Sequence, residues 1–388
     1  MATSSAIPDT MTAAQVVEYH KPYQLNTVPV PKDLGPYDLL VKIAVASFCH
    51  TDMMVTEGKF GGSKLPLTGS HEGSGTVVAV GSAVAASGAS AALSFCPGDR
   101  VMCGTPRNTC GVCCECTSPD ESHRQYCAAL EGHCGVLSVD GFFAEYARCD
   151  ARWTTKLPST VSLLAAAPLA CAGRTVWRGV QRAVAVAGLR PRDWLCVVGA
   201  GGGLGHLAVQ FAVQVAGLRV IGIDARAPGL AAAREAGAHV VVDAREGTTA
   251  DTAAAVQRAV ADGGRGAHAT LLAADAPSAA ALACAVTRTH GTVVELAQPD
   301  TVVVPFTELI MRDIRLVGSC FSSPQESCDM VAAIAQHGLH VDTVPFEGLE
   351  QIDALVDLVH SGTVKGKAVV VVDKEQVARD AAVGGMKA

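Results

Sequence analysis

Short apolar runs separated by glycine and proline dominate the first part of the chain, up to about residue 170. The runs at 39–45 and 75–80 are rich in valine and other apolar residues, and those at 16–17 and 100–103 are shorter. Segments of this length, with turn residues between them, are typical of β-strands. The pattern therefore predicts a compact, mostly β first domain.

From about residue 174 onward, strand-length apolar runs alternate with helical stretches. Predicted strands lie at 194–198, 220–223, 240–242, 271–273 and 292–296, and predicted helices at 204–216, 230–236 and 253–261. Consecutive βα units imply a parallel sheet covered by helices on both faces. We therefore expect an α/β chain with a doubly wound parallel-sheet domain at 174–315. The run at 369–372 is expected to return to the β-rich domain, which then comprises 1–173 and 316–388.

Composition excludes several classes of partner. The 388 residues are 49% hydrophobic and 17% charged, with a net charge of −7, so neither nucleic acid nor an anionic membrane is expected. Between Asp193 and Arg219 there is no charged residue, but five glycines from Gly199 to Gly205 disfavour a membrane-spanning helix. The N-terminus shows no secretory signal, and we therefore expect a cytoplasmic protein.

The segment from Gly199 to Gly205 is a glycine-rich turn between a predicted strand and a predicted helix. Such a turn lets backbone amides approach a pyrophosphate at the helix N-terminus. Asp224 lies nineteen residues past Gly205, at the end of the next predicted strand, where a carboxylate accepts hydrogen bonds from an adenosine ribose. This favours NAD over NADP, although Arg226 weakens the preference. The predicted cofactor contacts in the turn are Gly199, Gly201, Gly202, Gly203 and Leu204.

Fifteen cysteines are a high count, and in a reducing compartment clustered cysteines are expected to bind metal rather than form disulfides. Cys110, Cys113 and Cys116 are separated by two residues each, and Cys127 follows after ten more. Four thiolates from one short loop match a closed, tetrahedral, structural zinc site. The regular spacing disfavours the alternative, a set of unpaired buried thiols. Cys114 interrupts the pattern and is interpreted as a bystander.

Three residues far apart in the chain form a second candidate metal site. Cys49, His71 and Cys171 would give zinc three protein ligands and leave its fourth position for a substrate. Each residue alone is weak evidence, because a lone cysteine or histidine is more often a packing residue. Asp52 and Glu72 are the natural neighbours to orient these ligands and tune their charge.

Taken in chain order, these motifs resemble those of the zinc-containing alcohol dehydrogenases of the medium-chain dehydrogenase/reductase superfamily, especially its microbial branch. The matching segments are Cys-His-Thr-Asp at 49–52, Leu-Pro-Leu at 65–67, Gly-Ser-His-Glu-Gly at 69–73, the cysteine loop at 110–127, Pro-Leu-Ala-Cys-Ala-Gly at 168–173, the glycine-rich turn at 199–205 and Gly-Lys at 366–367. Together they span nearly the whole chain.

The resemblance implies a GroES-like β-rich catalytic domain, a Rossmann domain, NAD as cofactor and two zinc ions per chain. The three candidate ligands would hold the catalytic zinc, with Glu72 close behind. It further implies Thr51 as the hydroxyl that takes the substrate proton, His50 and Lys367 near the pyrophosphate, and Thr175 near the nicotinamide. Members of the family are usually homodimers or homotetramers, and their partner is a small-molecule alcohol or aldehyde.

The chain departs from the family at several positions. The last gap of the cysteine loop is longer than usual. Met54 replaces a histidine that commonly ends the proton relay, and Arg174 adds a charge near the expected nicotinamide position. Thr105 stands where small-alcohol enzymes often carry a bulky aromatic residue. With Met54 and Phe60 as apolar walls, this predicts a roomier substrate pocket.

These observations predict a zinc- and NAD-dependent alcohol dehydrogenase that moves a hydride reversibly between a primary or secondary alcohol and NAD, with Thr51 as proton relay. The wider pocket and Arg174 favour a bulky or partly anionic metabolite of a specialised pathway as substrate. One alternative is a metal-free quinone or enoyl reductase of the same superfamily, which the complete ligand set disfavours. The other is a dinucleotide- or zinc-binding protein without turnover, which the open zinc position and Thr51 disfavour.

Overall fold

A computed structural model of the chain describes residues 6–86, 93–261 and 265–384. The described residues form two compact units. The first contains those of Met1–Cys171, Ser323–Ala335 and Asp342–Ala388, and the second those of Ala172–Ser322 and Gln336–Val341.

The β-strands are, in chain order, β1 (Thr10–Val16), β2 (Gln24–Pro29), β3 (Asp38–Ser47), β4 (Leu67–Thr68), β5 (Glu72–Val80), β6 (Arg100–Met102), β7 (Pro106–Arg107), β8 (Gly132–Cys134), β9 (Ser138–Val139), β10 (Tyr146–Asp150), β11 (Thr155–Lys156), β12 (Trp194–Val198), β13 (Arg219–Asp224), β14 (Val240–Asp243), β15 (Ala267–Leu272), β16 (Thr287–Glu295), β17 (Arg315–Gly318), β18 (Thr343–Glu347) and β19 (Lys367–Val371). The α-helices are α1 (His50–Thr56), α2 (Ser82–Ala86), α3 (Leu163–Pro168), α4 (Arg174–Ala187), α5 (Gly205–Gln210), α6 (Ala227–Glu235), α7 (Thr249–Val260), α8 (Ala279–Val286), α9 (Phe306–Ile310), α10 (Pro324–His337), α11 (Ile352–His360) and α12 (Lys374–Gly384).

The first unit is built on a seven-stranded sheet with β3 near its centre. The strand order is β11-β6-β5-β3-β19-β18, and β10 also pairs with β3. All but one of the β3 residues are buried, as expected for a strand with neighbours on both sides. Two smaller three-stranded sheets, β2-β1-β4 and β7-β8-β9, belong to the same unit. The prediction of a β-rich, GroES-like domain is confirmed.

The second unit contains a six-stranded sheet in the order β14-β13-β12-β15-β16-β17. Every neighbouring pair in it is parallel. In this unit's own strand sequence the order is that of a doubly wound Rossmann fold, with the first strand at the point where the winding reverses. The turn after β12 therefore lies at the switch point, where such folds bind their ligands. The prediction of a Rossmann domain is confirmed.

Several predicted elements have other bounds in the structure, and for two of them the reason is identifiable. β5 begins at Glu72 rather than at residue 75, because Glu72 pairs with Ser47 of β3 although residues 72–74 are polar or small. The helix predicted at 204–216 is divided, since α5 ends at Gln210 and a π-helical turn, Phe211–Val215, follows. None of the described helices has the length and apolar character needed to cross a membrane.

Candidate active site

Three strand ends in the first unit bring three functional side chains together. β3 ends at Ser47, two residues before Cys49, and Ser47 pairs with Glu72 at the start of β5. Ser47 also pairs with Val369, so that β19 begins at Lys367 beside the same end of β3. The strand register therefore gathers Cys49, Glu72 and Lys367, which are far apart in sequence.

Cys49, His71, Glu72 and Cys171 form the first candidate metal cluster. Each offers one ligand atom, and these four atoms all lie within 4.8 Å of one another. Cys171 belongs to the π-helical turn Leu169–Gly173, and such widened turns recur at functional sites. Two thiols and an imidazole at this spacing match the three protein ligands of a catalytic zinc site, and the Glu72 carboxylate lies beside them.

Asp52 holds the imidazole of His71. Its Oδ1 lies 3.1 Å from His71 Nδ1, and its Oδ2 accepts a hydrogen bond of 2.8 Å from the backbone N–H of Cys49. The other ring nitrogen, His71 Nε2, is buried and has no hydrogen-bond partner among the described residues. A buried imidazole nitrogen left over beside two thiols fits zinc, because the metal takes the nitrogen that carries no proton.

Lys367 forms a buried ion pair with Glu72 next to the cluster. Its Nζ lies 2.8 Å from Glu72 Oε2 and donates to Oε1 at 3.0 Å. Burial raises the pKa of Glu72 to about 7, against the opposing effect of Lys367. Burial alone would lower the pKa of Lys367, but Cys49 and Glu72 raise it above its usual value. These neighbours therefore favour the charged form of Lys367 at this site.

The two thiols of the cluster differ in acidity. A hydrogen bond with Cys171 lowers the pKa of Cys49 well below its usual value, with help from Lys367 and against the effect of burial. The same hydrogen bond and burial raise the pKa of Cys171. For His71, burial lowers the pKa, but the neighbouring Asp52 raises it well above the usual value. Zinc would take both sulfurs as thiolates, so metal binding at this pair would release their protons.

The predicted proton-relay residues lie at the start of α1. Thr51 Oγ1 is 4.0 Å from Cys49 Sγ, so the hydroxyl is beside a candidate metal ligand. His50 is exposed, whereas Met54 is half-buried on the same helix. The structure therefore brings Thr51 to the cluster and leaves its neighbour His50 in contact with solvent.

The predicted pocket residues have different surroundings. Thr105 is buried, and its hydroxyl donates to the backbone oxygen of His71 at 3.2 Å. Phe60 follows α1 and is 38% exposed. The sequence did not reveal that Thr105 bonds to the backbone of the candidate ligand His71, because the two residues are separated by 34 positions.

The second candidate metal cluster lies in the cysteine loop of the first unit. Ligand atoms of Cys110, Cys113, Cys116 and Cys127 are all within 4.8 Å of one another. The Sγ atoms of Cys110 and Cys116 are 3.9 Å apart, as are those of Cys113 and Cys127. A short 3₁₀ helix, Glu121–Tyr126, lies in the long gap between Cys116 and Cys127.

Backbone amides of the loop converge on one of its sulfurs. The N–H groups of Val112 and Cys113 donate to Cys110 Sγ at 3.5 and 3.3 Å, and they lower the pKa of Cys110 to about 6. The exposed Cys114 lies outside the cluster, with its Sγ 3.7 Å from Glu115 Oε1. All fifteen cysteines lie in the described part of the chain, and none forms a disulfide. The four predicted cysteines of the loop thus lie close enough together to bind one metal ion.

The glycine-rich turn follows β12 in the second unit. Gly199 has a φ of 83°, a left-handed conformation that favours glycine. A Cβ on Gly201 would lie 1.9 Å from the backbone oxygen of Gly229, so no side chain fits there. The N–H of Gly201 donates to Asp224 Oδ2 at 3.0 Å. Gly199, Gly201, Gly202, Gly203 and Leu204 thus form one turn that leads into α5, with Asp224 beside it.

Arg174 and Thr175 are the first two residues of α4. The Arg174 side chain is fully buried, donates to the backbone oxygen of Ser322 at 2.7 Å, and lies over the ring of Phe321 at 5.1 Å. These contacts hold the Arg174 guanidinium against other residues of the second unit. Thr175 is half-buried, and its role near nicotinamide stays a prediction.

Fold and site together define a class, that of two-domain oxidoreductases with a GroES-like and a Rossmann-like domain. Comparison with known families agrees. Residues 35–159 match the alcohol dehydrogenase GroES-like domain, and residues 203–336 match the zinc-binding dehydrogenase family.

Individual relatives cover almost the whole chain. Alcohol dehydrogenase 1 of Emericella nidulans is 34% identical over 367 residues, which are 93% of this chain and 98% of that protein. The crystal structure of the alcohol dehydrogenase of Aeropyrum pernix has a TM-score of 0.81 and 29% identity, and covers 93% of this chain and 99% of its own. A zinc-binding dehydrogenase structure from Sinorhizobium meliloti, bound to NADP, has a TM-score of 0.78 and 25% identity, with 94% and 100% coverage. The chain belongs to the zinc-binding alcohol dehydrogenases of the medium-chain dehydrogenase/reductase superfamily.

Proposed function

We propose that this protein is a zinc- and NAD-dependent alcohol dehydrogenase that interconverts a primary or secondary alcohol and the corresponding aldehyde or ketone. The convergence of Cys49, His71 and Cys171, with His71 Nε2 buried beside the thiols, is the observation that carries the proposal. These three residues would hold the catalytic zinc. By the sequence pattern, the catalytic domain is assigned to 1–173 and 316–388 and the coenzyme domain to 174–315, although β17 (Arg315–Gly318) pairs within the parallel sheet of the second unit.

The chain's own residues position the ligands and move the proton. When bound, zinc would supply a Lewis acid for the substrate oxygen and nicotinamide the hydride acceptor. Asp52 fixes the orientation of His71, and Lys367 compensates the buried charge of Glu72. Thr51 takes the hydroxyl proton of the alcohol. Because Met54 cannot carry protons, the solvent-exposed His50 is the residue that hands the proton on to water.

The coenzyme is assigned to the glycine-rich turn of the second unit. The backbone amides of Gly201, Gly202 and Gly203 would contact the pyrophosphate, and Asp224 the adenosine ribose. Lys367 and Thr175 complete the predicted contacts by resemblance. The NADP bound to the similar Sinorhizobium meliloti protein supports a nicotinamide coenzyme in this fold.

A second zinc ion is assigned to Cys110, Cys113, Cys116 and Cys127. Four sulfur ligands leave no position for substrate, so this ion would be structural. With the catalytic ion, the chain would hold two zinc ions. The cytoplasmic location expected from the sequence fits this proposal, because a reducing compartment keeps ligand thiols reduced.

We also propose that the chain forms a homo-oligomer through the second unit. Six large apolar side chains within ten residues are exposed there, a density that usually marks an interaction surface. They are Val302 (44%), Val303 (61%), Phe306 (64%), Leu309 (41%), Ile310 (70%) and Met311 (71%). Among the described strands, the adjacent β17 pairs on one side only, at the edge of the sheet, and its other side is available to pair in a second copy.

A Cys171→Ser variant tests the proposed function. The variant should lose turnover and one zinc ion but keep dinucleotide binding, because Cys171 belongs to the metal cluster and not to the glycine-rich turn. The measurements are metal content and absorbance at the reduced-nicotinamide band with a panel of alcohols and aldehydes. Cys328→Ser, at an exposed cysteine outside both clusters, is the control and should behave as wild type.

The outcomes separate the alternatives. Full activity in Cys171→Ser would contradict the assignment of the catalytic ion. Activity in wild-type protein that contains no zinc would indicate a metal-free reductase. Two bound zinc ions without turnover on any alcohol or aldehyde would indicate a binding protein.

A further inference from the structure

The turn after β13, Asp224-Ala225-Arg226, bears on which form of the coenzyme the proposed site accepts. A free carboxylate at the end of β13 would bind the adenosine ribose and repel a 2′-phosphate. Asp224 is not such a free carboxylate, since only 5% of the residue is exposed. The groups around Asp224 therefore determine how strongly its carboxylate favours NAD over NADP.

Backbone groups already occupy most of the acceptor positions of Asp224. Oδ1 accepts from the N–H groups of Ala225 at 2.9 Å and Arg226 at 3.0 Å, and Oδ2 accepts from Gly201 at 3.0 Å. A carboxylate offers about four acceptor positions, so these bonds leave about one for a ribose hydroxyl. The carboxylate also packs against Gly229, where a Cβ would lie 2.4 Å from its Cγ.

Arg226 lies beside the same carboxylate and neutralises it. Its Nε is 3.4 Å from Asp224 Oδ1, and its side chain is 39% exposed, against 4% for that of Asp224. Its Nη2 comes within 3.8 Å of the position that a Cβ on Gly202 would take. The guanidinium therefore extends from Asp224 toward the glycine-rich turn, and the side chain as a whole is partly exposed.

The carboxylate at the end of the neighbouring strand β14 is also paired with an arginine. Asp243, which pairs with Asp224 in the sheet, has its Oδ2 2.6 Å from Arg245 Nη2. That contact lowers the pKa of Asp243 to about 2. Each of the two carboxylates at the ends of β13 and β14 is thus matched by an arginine two residues later. The net charge of these four side chains is zero, so a phosphate would meet no excess of negative charge.

We propose that Arg226 forms a binding position for the 2′-phosphate of NADP, so that the protein binds both NADP(H) and NAD(H). A guanidinium presents several N–H groups in a plane and binds phosphate oxygens through charge-assisted hydrogen bonds. Arg226 can do so while its Nε remains near Asp224, because its Nη2 lies on the side of the glycine-rich turn. This inference rests on the proposed coenzyme site and specifies its selectivity.

Binding of nucleotide fragments to the metal-loaded protein without coenzyme tests the proposal. Isothermal titration calorimetry with 5′-AMP and with 2′,5′-ADP measures the contribution of the 2′-phosphate directly, without turnover. In wild type, the two fragments should bind with dissociation constants within about threefold. Arg226→Gln should weaken 2′,5′-ADP by about tenfold or more, as expected from one charge-assisted hydrogen bond, and leave 5′-AMP nearly unchanged.

Arg245→Gln is the matched control, because it removes the equivalent arginine from β14. It should change the binding of either fragment by less than about twofold. The proposal is overturned if wild type binds 2′,5′-ADP about a hundredfold more weakly than 5′-AMP, or if Arg226→Gln weakens both fragments equally. Equal losses in the Arg226 and Arg245 variants would also overturn it, since the effect would then be general electrostatics. If neither fragment binds to wild type, the coenzyme site itself is wrong.

Discussion

Replacing Asp52 with asparagine should weaken the proposed catalytic zinc site while preserving its shape. The buried carboxylate of Asp52 contacts two candidate ligand residues at once, His71 Nδ1 at 3.1 Å and the backbone N–H of Cys49 at 2.8 Å. Both contacts require an acceptor when His71 carries its proton on Nδ1. Asparagine has the same size but offers one acceptor and one donor group.

The two orientations of the asparagine amide have different costs. If its oxygen faces Cys49, its NH₂ group faces His71 Nδ1 and favours the tautomer with the proton on Nε2. That proton occupies the lone pair that a metal needs. If the amide is reversed, its NH₂ group faces the N–H of Cys49, and a buried donor loses its acceptor. Loss of such a supporting group typically lowers metal affinity by about 10–100-fold, or roughly 1.4–2.8 kcal/mol.

Competition with a zinc chelator measures this effect. At a chelator concentration that leaves wild type with both ions, Asp52→Asn should retain only the ion of the cysteine loop. Asp251→Asn is a close control, since Asp251 accepts from the N–H of Thr248 at 2.8 Å at the start of α7, as Asp52 does from Cys49. It should lose stability but no zinc. The reasoning is refuted if Asp52→Asn binds both ions with wild-type affinity.

Two further predictions concern the cysteine loop and the exposed surface. Cys116→Ser should remove the structural ion and lower the thermal unfolding temperature, whereas Cys114→Ser should keep the zinc content of wild type, because Cys114 lies outside the cluster. Metal analysis and calorimetry compare the two, and equal zinc loss in both would contradict the ligand assignment. Ile310→Glu with Met311→Glu should shift the protein to monomer in sedimentation experiments, because both side chains are about 70% exposed on the proposed interface. Leu25→Glu, at an exposed apolar residue of β2 in the first unit, should leave the oligomer intact, and an intact oligomer in the double variant would place the interface elsewhere.

The sequence predicted strands correctly where the apolar pattern of the segment itself marks the strand. The strand predicted at 194–198 is β12. A fully buried apolar run that is followed by glycines and is too short for a typical helix fits a buried strand. The start of β5 was predicted too late because the first residues of this strand, Glu72-Gly73-Ser74, are paired by β3 rather than by their own apolar character. Strand ends that depend on a distant partner carry little signal in the chain itself.

In the candidate site, the sequence predicted the metal ligands but not the ion pair beside them. Cys49, His71 and Cys171 could be named from their motifs, but Lys367 was predicted only as a pyrophosphate contact, and its ion pair with Glu72 spans 295 residues. The pairing has a physical reason, since a dication would be balanced by two thiolates and would leave Glu72 as an uncompensated buried anion. A lysine at the start of β19 supplies the missing charge. Because the register of β19 against β3 sets that position, only the folded sheet reveals how the metal cluster and its counter-charge are built together.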